Sequence, residues 1–184
     1  KRLNLPLRPM QAHEFPAVYR LMQQAFPLQE HRCFSDAEAL LSKNEYGILV
    51  YPEQGEITGF VAHWKFPGFY FVEHFAVSQT ARGNGIGSHI MGAYLSQSAL
   101  PVVLEVEAIG SKIAQRRIGF YQRLGFALSP VGYIQPCLQG DVSDIPLLLM
   151  HAPQNVSREL LHQAQKAIFH TVYQKEPPFS NSSV

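Results

Sequence analysis

The chain has 184 residues, of which 46% are hydrophobic, 11% aromatic and 16% charged. This length and composition are typical of one globular domain with a sizeable core, and they exclude disordered and fibrous classes. The net charge of +1 gives no indication of a nucleic-acid partner held by phosphate neutralisation. The longest apolar runs, such as residues 145–150, are far too short to span a bilayer, so no membrane partner is expected.

The cysteines and the first residues give expectations about metal binding and about the cellular location of the protein. Cys33 and Cys137 lack the spacing of metal ligands and are too few for a disulfide framework. The first residues hold no apolar stretch long enough for a secretory leader. We therefore expect a cytoplasmic protein with no metal.

The first part of the chain predicts a strand and two helices. Residues 3–8 indicate an edge strand, which Pro6 weakens. Residues 14–26 carry apolar side chains at helical spacing. A capping pattern at residues 35–38 predicts a second helix that ends near residue 43.

The middle of the chain predicts a mixed sheet. Three strands are expected, joined by turns short enough for antiparallel hairpins: residues 47–51, 56–65 and 68–77. A helix over 86–100 then ends at Pro101, and a strand over 102–107 begins at once. This strand–helix–strand unit predicts a right-handed crossover between parallel neighbours. The fold class is therefore α/β, with antiparallel and parallel pairs in one sheet.

The last part of the chain predicts two further strands and two helices. A helix over 112–124 has Gly125 at its C′ position. The remaining expected elements are strands at 126–129 and 147–151, a long loop over 130–144, an amphipathic helix over 155–173 and a loose polar tail over 177–184.

A glycine-rich turn after the strand at 68–77 predicts an anion site. The apolar strand ends at Val77, and glycines 83, 85 and 87 lead into the next helix. Such a turn can aim several backbone N–H groups at one point, with a helix N-terminus behind them. Glycine lets the backbone approach a ligand because no Cβ intervenes. A phosphate is the commonest occupant of such a site.

Other phosphate motifs fit this turn less well. A dinucleotide fingerprint fails because position 88 is serine, so the spacing is G-x-G-x-G. A Walker loop fails because no Gly-Lys-Ser/Thr follows. A glycine-rich turn without a ligand remains an alternative.

The pattern Arg82-x-x-Gly85-x-Gly87 resembles the pyrophosphate loop of the GNAT superfamily of acyl-CoA-dependent N-acyltransferases. A second match lies downstream, where residues 102–107 resemble the fifth strand of that family. Residues 116–126 resemble its next helix and turn, with the ending Phe-Tyr-x-x-Leu-Gly-Phe. The resemblance covers residues 47–128.

The resemblance implies a sheet of about seven strands, splayed between the fourth and fifth, with flanking helices. It implies a single GNAT-type core over residues 1–151. Residues 152–184 would add a C-terminal helix and flexible tail packed on the same domain. That helix could cover the sheet, pair with a second subunit in a homodimer, or cap the acceptor site.

The resemblance also implies acetyl-CoA as the co-substrate and assigns residues to it. The end of the fourth strand would pair with the pantetheine arm and the acetyl carbonyl through Phe75, Ala76 and Val77. The loop would hold the pyrophosphate through Arg82, Gly83, Asn84, Gly85, Ile86, Gly87 and Ser88. The family often has an asparagine after the fifth strand, and here Ser111 could substitute for it.

Tyr121 matches the tyrosine that points its hydroxyl at the CoA sulfur in much of the superfamily, so it is the expected acid and a cofactor contact. The alternative is a core tyrosine on the apolar face of its helix.

Two carboxylates are candidate general bases. Glu73 shares a strand face with Phe71, Phe75 and Val77. If it faces the cleft, burial would raise its pKa towards a useful value, and the alternative is a salt bridge to a basic residue. Glu105, in an apolar strand, follows the same logic. His74 lies on the other face and is expected to be structural.

The sequence therefore predicts an acetyl-CoA-dependent N-acetyltransferase that moves the acetyl group directly to a primary amine of a small molecule or peptide. Candidates for lining the acceptor pocket are Trp64, His63, Tyr70 and the segments 26–34 and 130–144. Alternatives are a transferase for another acyl chain or an oxygen acceptor, and a non-catalytic CoA-binding or regulatory module.

Overall fold

The computed structural model describes residues 7–108, 110–139 and 145–175, and this part of the chain forms a mixed α/β fold. The strands are β1 (Arg8–Pro9), β2 (Tyr46–Glu53), β3 (Glu56–Phe66), β4 (Phe69–Val77), β5 (Val102–Glu107), β6 (Ala127–Ile134) and β7 (Pro146–Ala152). The helices are α1 (Phe15–Ala25), α2 (Phe34–Ala39), α3 (Ile86–Gln97), α4 (Lys112–Arg123) and α5 (Arg158–Ala167). A π-helical turn, Ile168–Val172, continues α5.

The strands form one sheet in the order β1-β2-β3-β4-β5-β7-β6. β1, β2 and β3 pair antiparallel, as do β5, β7 and β6. β4 and β5 are the parallel pair. This topology confirms the predicted mixed sheet and the predicted parallel pairing of β4 with β5.

The predicted loop over 130–144 is wrong at its start, because β6 continues to Ile134. The register shifts between Leu128 and Gly132, which lets the strand bulge past Pro130 and then pair again with β7. A Cβ at Gly132 would lie 2.3 Å from the Leu147 carbonyl oxygen, so only glycine fits this close approach. The part of the predicted loop at 140–144 lies outside the described residues.

Other predicted boundaries shift by a few residues. The helix expected over 35–43 is α2 followed by a 3₁₀ turn, Leu40–Ser42. α5 begins at Arg158, where the Ser157 side chain caps it by accepting a hydrogen bond from the Leu160 N–H at 3.0 Å. Most of the strand expected over 3–8 and the tail over 177–184 lie outside the described residues.

The chain divides into two compact units, and the first is described over residues 7–65, 72–99 and 137–139. Its core includes the fully buried Trp64, Phe60 and Met91. Gly59 lets α3 approach the sheet closely, since a Cβ there would lie 2.5 Å from Ile90 Cδ1. This packing fixes the position of α3 within the unit.

The second unit is described over residues 66–71, 100–108, 110–136 and 145–175. Leu149 and Met150 of β7 and Ile168 of the π-helical turn are fully buried in it. Within this unit Tyr70 N–H donates to the Pro101 carbonyl at 2.8 Å, which joins the start of β4 to the start of β5. Among the described residues no helix combines the length and apolar character needed to cross a membrane.

Candidate active site

The turn after β4 uses glycine where the backbone needs it. A 3₁₀ turn, Gln79–Ala81, follows the strand. Gly83 and Gly85 then adopt φ values of +88° and +71°, in the left-handed region that favours glycine. Gly85 is the N-cap of α3, so the left-handed residue directly precedes the helix.

The start of α3 has the features of an anion site. Its N-cap makes no side-chain hydrogen bond, and its first turn holds no acidic residue. The first backbone N–H groups of a helix have no intrahelical acceptor, and the helix dipole adds partial positive charge there. A Cβ at Gly83 or Gly85 would meet nothing within 4 Å, so the space beside the turn is open. These features fit a phosphate-bearing group.

The other residues expected to bind the cofactor lie along the same segment. Phe75 and Val77 are half-buried, and Ala76 between them is buried. Arg82, Asn84 and Ser88 are exposed, whereas Ile86 is buried and Gly87 half-buried: the loop presents its polar side chains to solvent. Arg82 Nε donates to the Val77 carbonyl oxygen at 3.3 Å, which joins the loop to the strand end.

Glu73 is held in a buried ion pair. Arg32 Nη1 lies 2.9 and 3.1 Å from its two oxygens, and Trp64 Nε1 donates to Oε1 at 2.8 Å. The Glu73 side chain is 3% exposed. Burial alone raises the pKa of Glu73, but the Arg32 charge, His74 and these hydrogen bonds outweigh it and lower the pKa. The expected upward shift is therefore wrong, and the salt bridge that the sequence left open is present.

His74, the next residue, is buried on the opposite face of β4. Its Nε2 hydrogen-bonds to the Glu30 carbonyl oxygen, and the Phe26 ring packs against it at 4.8 Å between centroids. Burial lowers the pKa of His74 below its ordinary value. Together with the Arg32–Glu73 pair, this contact attaches residues 26–34 to β4.

Two of the residues expected to line the acceptor pocket are core residues. Trp64 is fully buried and bonds to Glu73. His63 is 7% exposed, and its Nδ1 lies 2.7 Å from the Tyr94 hydroxyl. Burial lowers the pKa of His63 to about 4. Neither side chain is accessible to an acceptor in this structure.

Glu105 lies in the second unit and accepts hydrogen bonds from two tyrosine hydroxyls. Tyr173 donates to Oε1 at 2.8 Å and contacts Oε2 at 3.0 Å. Tyr133 donates a short hydrogen bond to Oε2. Sequence analysis missed both tyrosines, because Tyr133 lay in an expected loop and Tyr173 at the end of an expected helix. An extension of the strand at 126–129 would have placed Tyr133 on a sheet face.

Tyr121 lies on α4 between two aromatic rings. The ring centroids of Phe120 and Phe126 are 5.1 and 5.4 Å from its own. Burial raises the pKa of Tyr121 to about 12, although the Arg117 charge opposes this. The hydroxyl therefore stays protonated at neutral pH. At the start of the same helix, Ser111 Oγ accepts the Ala114 N–H at 3.0 Å and acts as the N-cap.

Comparison with known proteins identifies the class to which this fold and these residues belong. The model of the acetyltransferase (GNAT) family matches residues 15–126, more than half of the chain. The chain therefore belongs to the GNAT acetyltransferase family.

Individual relatives agree with that assignment. A Bacillus subtilis (strain 168) protein named "Putative acetyltransferase YjbC" is 27% identical over 158 residues, covering 84% of this chain and 80% of its own length. A solved structure, "Putative acetyltransferase from GNAT family from Bacteroides thetaiotaomicron", superposes with a TM-score of 0.80 at 28% identity, covering 91% of this chain and 97% of that one. The ribosomal-protein-S18-alanine N-acetyltransferase from Escherichia coli shares the fold, with a TM-score of 0.61 at 18% identity over 83% of this chain and 96% of that one.

Proposed function

We propose that the chain is an acetyl-CoA-dependent N-acetyltransferase that moves the acetyl group directly from the thioester to a primary amine of a small molecule or peptide. Membership of the GNAT family supports this class of reaction. The observation that carries the proposal is the turn after β4, where two left-handed glycines lead into the uncapped start of α3. A cytoplasmic location is part of the same proposal.

Acetyl-CoA, when bound, supplies the acetyl group as an activated thioester. The segment from Arg82 to Ser88 would hold its pyrophosphate through backbone N–H groups and the Arg82 charge. The strand end from Phe75 to Val77 would align the pantetheine arm. The absence of acidic side chains from the first turn of α3 supports this assignment, because a carboxylate there would repel a phosphate.

The amine must lose a proton before it attacks, because an alkylammonium with a pKa of about 10 has no lone pair. We assign the proton acceptor to Glu105 in preference to Glu73. Arg32 and Trp64 already hold the Glu73 carboxylate, and its lowered pKa makes it a weak base. Glu105 accepts hydrogen bonds from the neutral hydroxyls of Tyr133 and Tyr173, whereas Glu73 faces the full positive charge of Arg32.

Tyr121 would stabilise the departing sulfur by hydrogen-bond donation. Its pKa of about 12 lies above the ordinary value of about 8.5 for a thiol. Complete proton transfer from Tyr121 to the thiolate would therefore be uphill, whereas a hydrogen bond from its hydroxyl to the developing charge is favourable. Solvent can then protonate the released thiolate.

For the acceptor we propose only a chemical class, a primary amine of a small molecule or peptide. The Escherichia coli enzyme with this fold is named for an alanine of a ribosomal protein, and at 18% identity that likeness extends to the fold and no further. The test is a thiol-release assay with acetyl-CoA and a panel of peptide N-termini, lysine side chains, polyamines and amino acids, with mass detection of the acetylated amine. Thiol release that depends on one amine supports the proposal. Acetyl-CoA binding without turnover on any amine would favour a non-catalytic module.

A further inference from the structure

The hydroxyl donors of Glu105 come from two separate elements of the second unit. Tyr133 lies on β6, and Tyr173 directly follows the π-helical turn after α5. The tyrosines are 7% and 8% exposed, so both hydroxyls are bonded inside the protein. Both residues also lie beyond residue 126, where the match to the family model ends.

The sheet register places Glu105 and Tyr133 on one face. Glu105 is opposite Leu149 of β7, and Tyr133 is opposite Leu147 of the same strand. Residues 147 and 149 point to one side because side chains alternate along a strand, and directly opposed residues share a face. The Tyr133 side chain therefore reaches diagonally across β7 to the carboxylate.

The π-helical turn brings Tyr173 to the same carboxylate. Tyr173 N–H donates to the Ile168 carbonyl oxygen, five residues earlier, at 3.1 Å. Such a turn holds one more residue than an α-helical turn, which rotates the following side chains by roughly a quarter of a turn around the axis. Phe169, from within this turn, packs edge-on against Tyr133 at 4.8 Å and lies 5.9 Å from the Tyr173 ring. The ring packing and the backbone bond together fix Tyr173.

We infer that Tyr173 and Tyr133 are positioning residues that orient the Glu105 carboxylate for proton transfer from the acceptor amine. This inference rests on the proposed function. A hydroxyl that donates to a carboxylate stabilises its charged form, which is the form that accepts a proton. Tyr173 contacts both oxygens, so it fixes the plane of the group as well as its charge.

The electrostatics of the cluster agree with this role. Burial and the neighbouring Glu105 charge hold the pKa of Tyr133 well above its ordinary value, so Tyr133 remains a donor. The C-terminal segment over 158–173 would then supply part of the catalytic machinery. Of the three roles that the sequence left open for this segment, capping the acceptor site is the one that agrees with this inference.

The test compares the pH profile of kcat/KM for Tyr173→Phe with that of the unsubstituted enzyme. The substitution removes the hydroxyl and keeps the ring that packs on Phe169. Hydrogen bonds to charged groups are strong enough that we expect kcat/KM to fall about tenfold to a hundredfold near neutral pH. The acidic limb should move to higher pH by roughly one unit, because a less stabilised carboxylate is protonated more easily.

Two further variants make the result decisive. Tyr133→Phe should shift the acidic limb in the same direction, and it serves the test should Tyr173→Phe fold poorly. Tyr94→Phe removes another buried hydroxyl, one that bonds to His63 in the first unit, and should lower the melting temperature without moving the limb. An acidic limb that stays in place in both positioning variants, with only the melting temperature reduced, would overturn the inference.

Glu105→Gln separates this inference from the proposed function. If Glu105→Gln removes the acidic limb and the tyrosine variants leave it unchanged, Glu105 is the base and the positioning role is wrong. If Glu105→Gln itself keeps the limb, the assignment of the base to Glu105 fails, and the positioning inference fails with it. The ionisation of the free amine is measured separately and subtracted.

Discussion

Tyr121 keeps its proton across the pH range in which most enzymes work, because burial raises its pKa to about 12. Tyr121→Phe should lower kcat by about 10²–10³-fold, the usual cost of removing one hydrogen-bond donor to a developing charge, and leave the KM for acetyl-CoA nearly unchanged. The reason is that the sulfur becomes charged only as the thioester breaks. Steady-state kinetics with the best amine of the panel measure this, and near-normal turnover would make Tyr121 a packing residue.

Glu73 is held in a buried ion pair, and its loss should affect stability more than catalysis. Glu73→Gln removes one charge of a buried ion pair, which costs about 3–5 kcal/mol in comparable cases. Glu14→Gln is the matched control, because Arg8 likewise contacts both oxygens of Glu14, but that pair is more exposed and should contribute little. Urea unfolding of both variants measures the difference.

The same ion pair predicts how stability depends on pH. Because the folded-state pKa of Glu73 is lowered, the stabilisation is fully present above the unfolded-state value of about 4.3. It is lost as the pH falls from there through the folded pKa. Glu73→Gln should therefore flatten the fall in stability below about pH 4.3 while leaving the acidic limb of kcat/KM in place. A limb that disappears in this variant would return the role of base to Glu73.

At the scale of elements, the pairing of β6 with β7 depends on Gly132. A Cβ there would lie 2.3 Å from a backbone oxygen and 2.7 Å from the Leu148 side chain, so the strand must shift. Gly132→Ala should lower the free energy of unfolding by about 1–3 kcal/mol. It should also displace the neighbouring Tyr133 and reduce kcat/KM. Gly92→Ala, where a Cβ on α3 meets nothing within 4 Å, is the control and should be neutral or stabilising.

Features that depend on neighbouring residues in the chain could be predicted from the sequence, whereas features that depend on distant residues could not. The glycine turn and α3 were predicted because both depend on residues next to each other in the chain. The β6 boundary was predicted wrongly because a strand containing Pro130 needs a bulge, and its pairing with β7 is not written in its own residues. The sequence did not identify Arg32 as the partner of Glu73, because the two residues are 41 positions apart and come into contact only when the chain folds.

For the whole molecule, the proposed function requires that acetyl-CoA binds the native protein through the turn after β4. A ligand at a hundredfold excess over its Kd should raise the melting temperature by about 5–10 °C for a chain of this size. Gly85→Glu should abolish that shift, because the new side chain and its charge would occupy the phosphate position. Gly55→Glu is the matched control, since Gly55 has a similar φ of +79° with nothing within 4 Å of a Cβ, in the turn between β2 and β3.

The most direct measurement is therefore the melting temperature of three proteins, each with and without acetyl-CoA. We expect a full shift for the unsubstituted protein and for Gly55→Glu, and none for Gly85→Glu. Both variants place a glutamate at a similar left-handed φ, so both should have a lower melting temperature without ligand. The comparison uses only the change that acetyl-CoA causes in each protein. A full acetyl-CoA shift in Gly85→Glu would contradict the pyrophosphate assignment and, with it, the proposed function.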